Sequence, residues 1–168
     1  MTTKSKPTAY ILVGLPASGK SFYIDNVLKA TYYDAVVLST DNYVERFAAR
    51  LKKTYSQVFD SCMPRAIRLM MRSHRRAYSQ KKDIIWDQTS LTVNSRRKKI
   101  NALRGYELIA IVMNTGDSLV DGRVVSRPGK TIPPSVMQQM RSSYVPPTEG
   151  EGFSKVIFIT TVEKEENV

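Results

Sequence analysis

The segment from Gly14 to Ser21 reads GLPASGKS, and its residue types are those that hold the phosphates of a nucleotide. The spacing is G-x-x-x-x-G-K-[ST], placed between the apolar run AYILV and the helical pattern SFYIDNVLKA. Glycines let the backbone turn its N–H groups inward, and the following helix adds the positive end of its dipole. In that reading Lys20 meets the β and γ phosphates and Ser21 ligates Mg²⁺, whereas the alternative is a Gly/Ser turn without a ligand. The expected nucleotide-contacting residues are Gly14, Ser18, Gly19, Lys20 and Ser21.

Two aspartates follow predicted strands. Asp41, in STDNY, lies just beyond the second strand, and Asp87, in DIIWDQTS, ends the third. In doubly wound sheets ligands bind beyond the carboxyl ends of the strands. We therefore interpret Asp41 as the general base for an attacking hydroxyl, with helix capping as the alternative. Asp87 could hold Mg²⁺ through water or orient a basic partner, and a capping role is its alternative.

The chain lacks the signals of nucleotide hydrolysis. The string closest to a guanine-binding N/TKxD motif, Asn114 to Asp117, has no lysine, and Gln88 follows Asp87 where a motor ATPase usually has a glutamate. Transfer of a phosphoryl group to a bound hydroxyl is therefore favoured. Arg123 and Arg127, in DGRVVSRPGK, are expected to place guanidinium groups on the transferring phosphoryl from a lid.

Five apolar, β-rich runs alternate with helical patterns, which predicts a mostly parallel sheet of about five strands with helices on both faces. The polar segment over residues 114–133, rich in Gly, Arg and Pro, predicts a mobile loop or short-helix lid over the nucleotide. The fold class is therefore α/β, in a single domain over residues 1–168. Strands are expected over residues 10–13, 35–38, 83–86, 108–113 and 156–159, and helices over 20–30, 43–52, 56–80, 93–104 and 134–144.

Composition narrows the class of protein further. A chain of 168 residues with 42% hydrophobic and 24% charged residues is typical of one globular domain. Its apolar runs are shorter than the ~18 residues that span a bilayer, so we expect no membrane segment. We expect no secretory leader either, because the first apolar run leads into the phosphate loop. Cys62 is the single cysteine and no Cys/His cluster could hold zinc, which indicates a cytoplasmic protein.

Positive charge is concentrated in the middle of the chain. The formal net charge is +11, and residues 46–104 contain 16 Lys/Arg against 3 Asp/Glu. Such an excess is the electrostatic signature of a protein that binds a polyanion, although a solvated helix face is the alternative. The acidic end over residues 161–168 is expected to be solvated. Five arginines recur at helical spacing on one face: Arg65, Arg68, Arg72, Arg75 and Arg76.

Four motifs, in order, resemble those of the bacteriophage-type polynucleotide 5′-kinase family over roughly residues 10–144. They are GLPASGKS, STDNY, IIWDQTSL followed by NSRRKK, and GRVVSRPGKTIP leading to VMQQM. The resemblance implies a P-loop kinase that transfers the γ-phosphate of ATP to 5′-hydroxyl ends of single-stranded DNA or RNA, in end repair. By this resemblance Lys20 and Ser21 bind ATP and Mg²⁺. Asp41 is the general base, and Asp87 is an essential active-site carboxylate. Arg127 is the lid arginine that contacts the donor phosphates, and Arg123 lies one turn earlier.

The chain departs from that family at two points. The family usually has an arginine three residues after the base, which grips the phosphate 3′ to the reacting nucleotide, and here Val44 occupies the position. We expect Arg46 or Arg50 to substitute, with Arg68 and Arg72 adding acceptor contacts. The chain also has no D-x-D-x-T motif for the phosphatase domain of some relatives.

Two other functions remain open from the sequence. The first is a P-loop kinase acting on a nucleoside, nucleotide, small metabolite or hydroxymethylated base. Such an acceptor has no phosphate backbone to which the five arginines could bind. The second is a catalytically idle nucleotide-dependent nucleic-acid binder, against which the intact set of candidate catalytic residues counts.

Overall fold

The computed structural model describes residues 6–161, and its five strands form one sheet. All neighbouring strands are parallel, in the order β2-β3-β1-β4-β5, so the predicted parallel sheet is confirmed. The first strand of the chain is therefore the central one, with β3 and β4 on either side. The strands are β1 (Thr8–Val13), β2 (Val36–Leu38), β3 (Ile84–Trp86), β4 (Glu107–Thr115) and β5 (Lys155–Thr161).

Helices connect the strands, and each predicted helix is present with ends that differ by no more than a turn. The helix after the phosphate loop begins as α1 (Lys20–Tyr23), passes through a π-helical stretch (Ile24–Leu28) and ends as α2 (Lys29–Thr31). A 3₁₀ turn, Glu149–Glu151, precedes β5. The others are α3 (Thr40–Leu51), α4 (Tyr55–Ser79), α5 (Val93–Ala102), α6 (Asp117–Val125) and α7 (Pro134–Ser143).

Both faces of the sheet are buried. Along β1, Ala9 and Ile11 pack in a cluster with residues of α4 and α5, whereas Tyr10 and Leu12 pack in a cluster on the opposite face. The second cluster includes Ile24 from the π-helical stretch. Alternation of this kind on a parallel strand means that helices cover both faces. Polar side chains can then gather only at the ends of the strands.

Helices α3 and α4 pack through a small apolar cluster that contains Val44, Ala48, Val58 and Ala66. Val44 is fully buried in this contact. The position therefore serves helix packing here, which explains why it holds a β-branched residue in place of a long cation.

His74, on α4, is a structural histidine. Its ring lies 5.3 Å from that of Trp86, between centroids, and its Nε2 is 3.2 Å from the carbonyl oxygen of Ala102. Burial lowers the pKa of His74, which keeps the imidazole neutral within the core.

The segment expected to be a lid is more regular than predicted at its start. Asn114 and Thr115 are the last residues of β4, because their pairing with Thr160 and Thr161 of β5 extends that strand. Helix α6 follows, and the irregular part begins only at Ser126.

Of the acidic end expected over residues 161–168, all but Thr161 lies outside the described residues. None of the helices within residues 6–161 combines the length and apolar character needed to cross a membrane.

A buried ion pair fixes the segment that follows β3. The Arg96 guanidinium is fully buried and donates to both carboxylate oxygens of Glu151, at 2.8 and 2.7 Å. It also donates to the carbonyl oxygens of Ser90 and Leu91, both at 3.0 Å. The pair therefore joins α5, the 3₁₀ turn and the loop that precedes α5.

We expect Glu151→Ala to lower the free energy of unfolding by about 3 kcal/mol, because it leaves the Arg96 charge buried without its carboxylate. The measurement is urea-induced unfolding. The control is Glu149→Ala in the same turn, whose exposed side chain should change stability by less than about 0.5 kcal/mol. Equal stability of the two variants would contradict a structural role for the pair.

Candidate active site

The loop between β1 and α1 is held on both sides by neighbouring segments. The Gly14 amide donates to the carbonyl oxygen of Thr89 at 2.9 Å, and the Thr115 hydroxyl donates to that of Ser18 at 2.8 Å. A Cβ at Gly14 would lie 2.7 Å from the Ser18 Oγ and 3.1 Å from the Met113 Cβ, so a larger residue would displace these side chains. Gly19, which precedes α1, has a φ of 97°, a conformation that glycine adopts without strain. The two motif glycines are therefore required by the loop's shape.

Lys20 lies at the bottom of the loop with its side chain buried. Its Nζ donates to the carbonyl oxygens of Gly14 at 2.9 Å and Leu15 at 2.7 Å. Burial lowers the pKa of Lys20 to about 8, and the nearby carboxylates of Asp87 and Asp41 oppose that shift. Two of the three ammonium hydrogens bind the loop, so one can point to an anion in front of it.

The loop fits a nucleotide's phosphates and Mg²⁺. The Ser18 hydroxyl is buried and has no hydrogen-bond partner among residues 6–161, although such groups are usually paired. No side chain caps α1, which leaves its first N–H groups for an anion. Ser21 and Asp87 both line the cavity above the loop, and their oxygens suit Mg²⁺. The described residues hold no group of three or more His, Cys, Asp or Glu side chains for a metal, so Mg²⁺ would complete its coordination with phosphate oxygens.

A cavity of about 630 Å³ lies over the loop and is lined by six of the thirteen predicted site residues. A second recess of about 440 Å³, lined by residues of α4 and α5, adjoins it, and Gln88, Ser95 and Lys99 line both spaces. The predicted site residues that line the cavity are Gly19, Lys20, Ser21, Asp41, Asp87 and Arg127.

Asp41 lies in the first turn of α3 with its carboxylate turned into the cavity. The helix is capped by Ser39, whose Oγ accepts from the Asn42 amide, so Asp41 is not the capping residue. Its two oxygens accept hydrogen bonds from the Lys130 ammonium at 2.6 Å and the Tyr55 hydroxyl at 2.8 Å. Burial raises the pKa of Asp41, but the hydrogen bond and charge of Lys130 outweigh it and hold the pKa below its usual range. The carboxylate is therefore ionised and can accept a proton.

Lys130 and Tyr55 contact the Asp41 carboxylate, and the sequence analysis missed both. The Lys130 ammonium lies 4.0 Å from the Tyr55 ring centroid and 3.6 Å from a Glu45 carboxylate oxygen. Burial and the neighbouring charge of Asp41 raise the pKa of Tyr55, so its hydroxyl stays protonated and donates. Two features of the sequence could have indicated these residues. Lys130 directly follows a glycine in the lid, and Tyr55 directly follows Thr54, which caps α4.

The irregular part of the lid is anchored to the first turn of α4. The Ser56 amide donates to the carbonyl oxygen of Gly129 at 3.0 Å, and the Thr131 amide donates to the Ser56 hydroxyl at 2.9 Å. Gly129 has a φ of 69°, and a Cβ there would lie 3.0 Å from the Thr54 Cβ. This close approach between Gly129 and Thr54 places Lys130 beside Asp41.

Asp87 follows β3 and lines the cavity beside Lys20. Its amide donates to the carbonyl oxygen of Leu38 at 2.8 Å, which extends the pairing of β3 with β2. Burial raises the pKa of Asp87, and the charge of Lys20 partly opposes that effect. Thr92 caps the next helix, so the capping alternative for Asp87 has no counterpart in the structure.

The predicted arginines fall into three groups. Arg127 lines the cavity. Arg123 donates to the carbonyl oxygen of Ala17 at 3.4 Å, so it contacts the phosphate loop from α6. The four proposed acceptor residues are exposed and lie outside the cavity lining, and their roles stay predictions: Arg46, Arg50, Arg68 and Arg72.

Comparisons with known proteins agree with this architecture. A family model described as an AAA domain matches residues 10–147. A candidate kinase from Chloroflexus aurantiacus aligns with a TM-score of 0.69 at 16% identity, over 97% of this chain and 90% of that chain. Chaetomium thermophilum Kti12, in complex with ADP-AlF3, aligns with a TM-score of 0.59 at 14% identity, over 94% of this chain and 91% of that chain. A gluconokinase from Sinorhizobium meliloti aligns with a TM-score of 0.56 at 16% identity, over 94% of this chain and 85% of that chain. At these identities the likeness shows the fold alone.

We expect Lys130→Met to raise the pKa of Asp41, because the half-buried carboxylate loses the cation that lowers its pKa. Tyr55→Phe should raise it by less, since only a neutral donor is lost. The pKa can be followed by carbon NMR of the Asp41 carboxyl group during a pH titration. Lys82→Met is the control, because Lys82 pairs with Asp34 instead. An unchanged Asp41 pKa in Lys130→Met would contradict the assigned contact.

Proposed function

Because the chain belongs to the AAA domain family, whose model matches residues 10–147, and has the fold of P-loop kinases, we propose that it phosphorylates 5′-hydroxyl ends of single-stranded DNA or RNA with ATP. The observation that carries the proposal is the Asp41 carboxylate, ionised beside Lys130 in the same cavity as Lys20. A proton acceptor that faces a phosphate loop supports transfer to a hydroxyl.

The proposed step is a direct displacement at phosphorus. The acceptor's 5′-oxygen forms a bond to the γ-phosphorus of ATP, while the bond from that phosphorus to the β,γ-bridging oxygen breaks. The hydroxyl proton moves to Asp41 and then to solvent, and ADP leaves. Tyr55 and Lys130 hold the Asp41 carboxylate in place for this transfer.

Cations of the chain stabilise the phosphates during the step. Lys20 is fixed by two loop carbonyls, so its remaining donor is directed at the phosphates without reorganisation. Arg127, from the lid, also lines the cavity and can offer a planar fork of donors to the transferring group. Mg²⁺ held near Ser21 and Asp87 would neutralise part of the phosphate charge.

The exposed positive charge of α4 supports a polyanionic acceptor. All five arginines of the α4 face are exposed. Positive charge in this density attracts a phosphate backbone and would give a small neutral acceptor no added affinity. The motif resemblance to polynucleotide kinases supports the same acceptor class.

Transfer to a small hydroxylic acceptor is the second candidate. The cavity's volume and its acidic wall, which includes Asp25 and Glu45, favour it. Similar folds include a gluconokinase and a sugar kinase. A nucleoside, a nucleotide, a hydroxymethylated base or a metabolite would belong to this class. A nucleic-acid binder without activity is disfavoured, because the carboxylate, the loop lysine and the lid arginine all line one cavity.

We expect γ-labelled ATP to label the 5′ end of a 5′-hydroxyl oligonucleotide in preference to a nucleoside, a nucleotide or gluconate. Asp41→Asn should lower this transfer by about 10² to 10⁴, because the amide cannot accept a proton, and should leave ATP affinity nearly unchanged. Asp60→Asn, an exposed carboxylate on α4, is the control. Labelling of a small acceptor alone would reject the polynucleotide assignment, and full activity of Asp41→Asn would reject the base.

The salt dependence of the acceptor KM tests the arginine face. On the polynucleotide assignment the KM should rise with salt, and Arg68→Glu with Arg72→Glu should reduce the slope of log KM against log salt by about 1.4, since each contact with a single strand contributes about 0.7. The control is Lys81→Glu with Arg104→Glu, an equal charge change in a recess away from the cavity. A slope that both double variants change equally would mean that net charge, and not this face, attracts the acceptor.

A further inference from the structure

Lys99, on α5, is buried at the boundary between the cavity and the second recess. Only 8% of the residue is exposed, and it lines both spaces. Its Nζ donates to the Ser95 carbonyl oxygen at a long 3.4 Å and lies 5.9 Å from the centroid of the Trp86 ring. No ion pair among residues 6–161 includes Lys99.

Such an arrangement is costly unless an anion compensates it. Burying an ammonium without a carboxylate costs free energy that packing does not return. Burial, with the charges of Arg96 and Lys98, lowers the pKa of Lys99 to about 8. Lys20 has the same burial and a lowered pKa, but its neighbours Asp41 and Asp87 oppose the shift, whereas no carboxylate opposes it at Lys99.

The second recess has walls that suit a nucleobase. Met70, Met71 and Trp86 form its apolar side, and Asn94 and Lys98 lie on its polar side. Apolar side chains can pack against any base, because every base presents a π-face. Because Lys99 lines both spaces, a phosphate bound beside it would leave one of two linked nucleotides on the cavity side and the other on the recess side.

From this geometry, and resting on the proposed function, we infer that Lys99 binds the first phosphodiester of the acceptor strand. The 5′-terminal nucleoside then lies in the cavity with its hydroxyl near Asp41, and the second base lies in the recess against Met71 and Trp86. Lys99 is thus a substrate-binding residue that selects acceptors with at least one internucleotide phosphate. The exposed arginines of α4 would act further along the strand.

The test compares two 5′-hydroxyl dinucleotides that differ only in their linkage, a phosphodiester and an uncharged methylphosphonate. For the unaltered protein we expect the phosphodiester KM to be lower by about tenfold to a hundredfold, the effect of one charge-assisted hydrogen bond. Lys99→Met, which keeps the length and apolar stem of the side chain, should abolish this difference and leave the ATP KM unchanged. Arg97→Met is the control, since it removes an exposed charge from the same helix outside both spaces.

The outcomes separate this inference from the proposed function. If the unaltered protein labels neither dinucleotide nor any oligonucleotide, the proposed function fails and the inference fails with it. If it labels both acceptors and Lys99→Met keeps the full preference for the phosphodiester, only the Lys99 assignment is rejected. Thermal unfolding of each variant reveals any general loss of fold, and a preference lost equally in Arg97→Met would also overturn the assignment.

Discussion

Burial of both sheet faces is the constraint on which the site depends. Because residues of β1 alternate between two apolar clusters, no side chain in the middle of the sheet is available for chemistry. Reactive groups can only follow the strands, and those of β1, β2 and β3 end beside one another. The phosphate loop, Asp41 and Asp87 follow these three strands in turn. Segments distant in sequence thus share one cavity, without any helix having to bend towards it.

Electrostatic balance within the cavity is the second organising feature. Lys20 and Lys130 face Asp41 and Asp87, and each cation favours the ionised form of a neighbouring carboxylate. The consequences differ for the two acids. Asp41 has a direct ammonium partner and a pKa below the usual range. Asp87 forms no ion pair among residues 6–161, and burial raises its pKa. The two carboxylates of one cavity therefore differ in their affinity for a proton.

The sequence predicted the fold well because its signals are local. Glycine spacing and strand-to-helix alternation each depend on a few neighbouring residues, and the structure confirms the parallel α/β sheet. The contact between Lys130 and Asp41 spans 89 positions, so no local pattern contains it. The continuation of β4 through Thr115 was missed because polar residues there are paired by β5. Lys99 belongs to a run of basic residues, and only its burial distinguishes it from Arg97 and Lys98.

The ion pair between Arg96 and Glu151 affects when the phosphate loop acquires its shape during synthesis of the chain. Arg96 holds the carbonyls of Ser90 and Leu91, and the adjacent Thr89 carbonyl accepts from the Gly14 amide at the start of the phosphate loop. The loop leaves the ribosome well before residue 151, yet its outer support is complete only when residue 151 has emerged. We therefore expect the nascent chain to acquire nucleotide affinity late, after nearly the whole described sequence is synthesised. Bound nucleotide would then stabilise only finished molecules, since partial chains lack the shape that binds it.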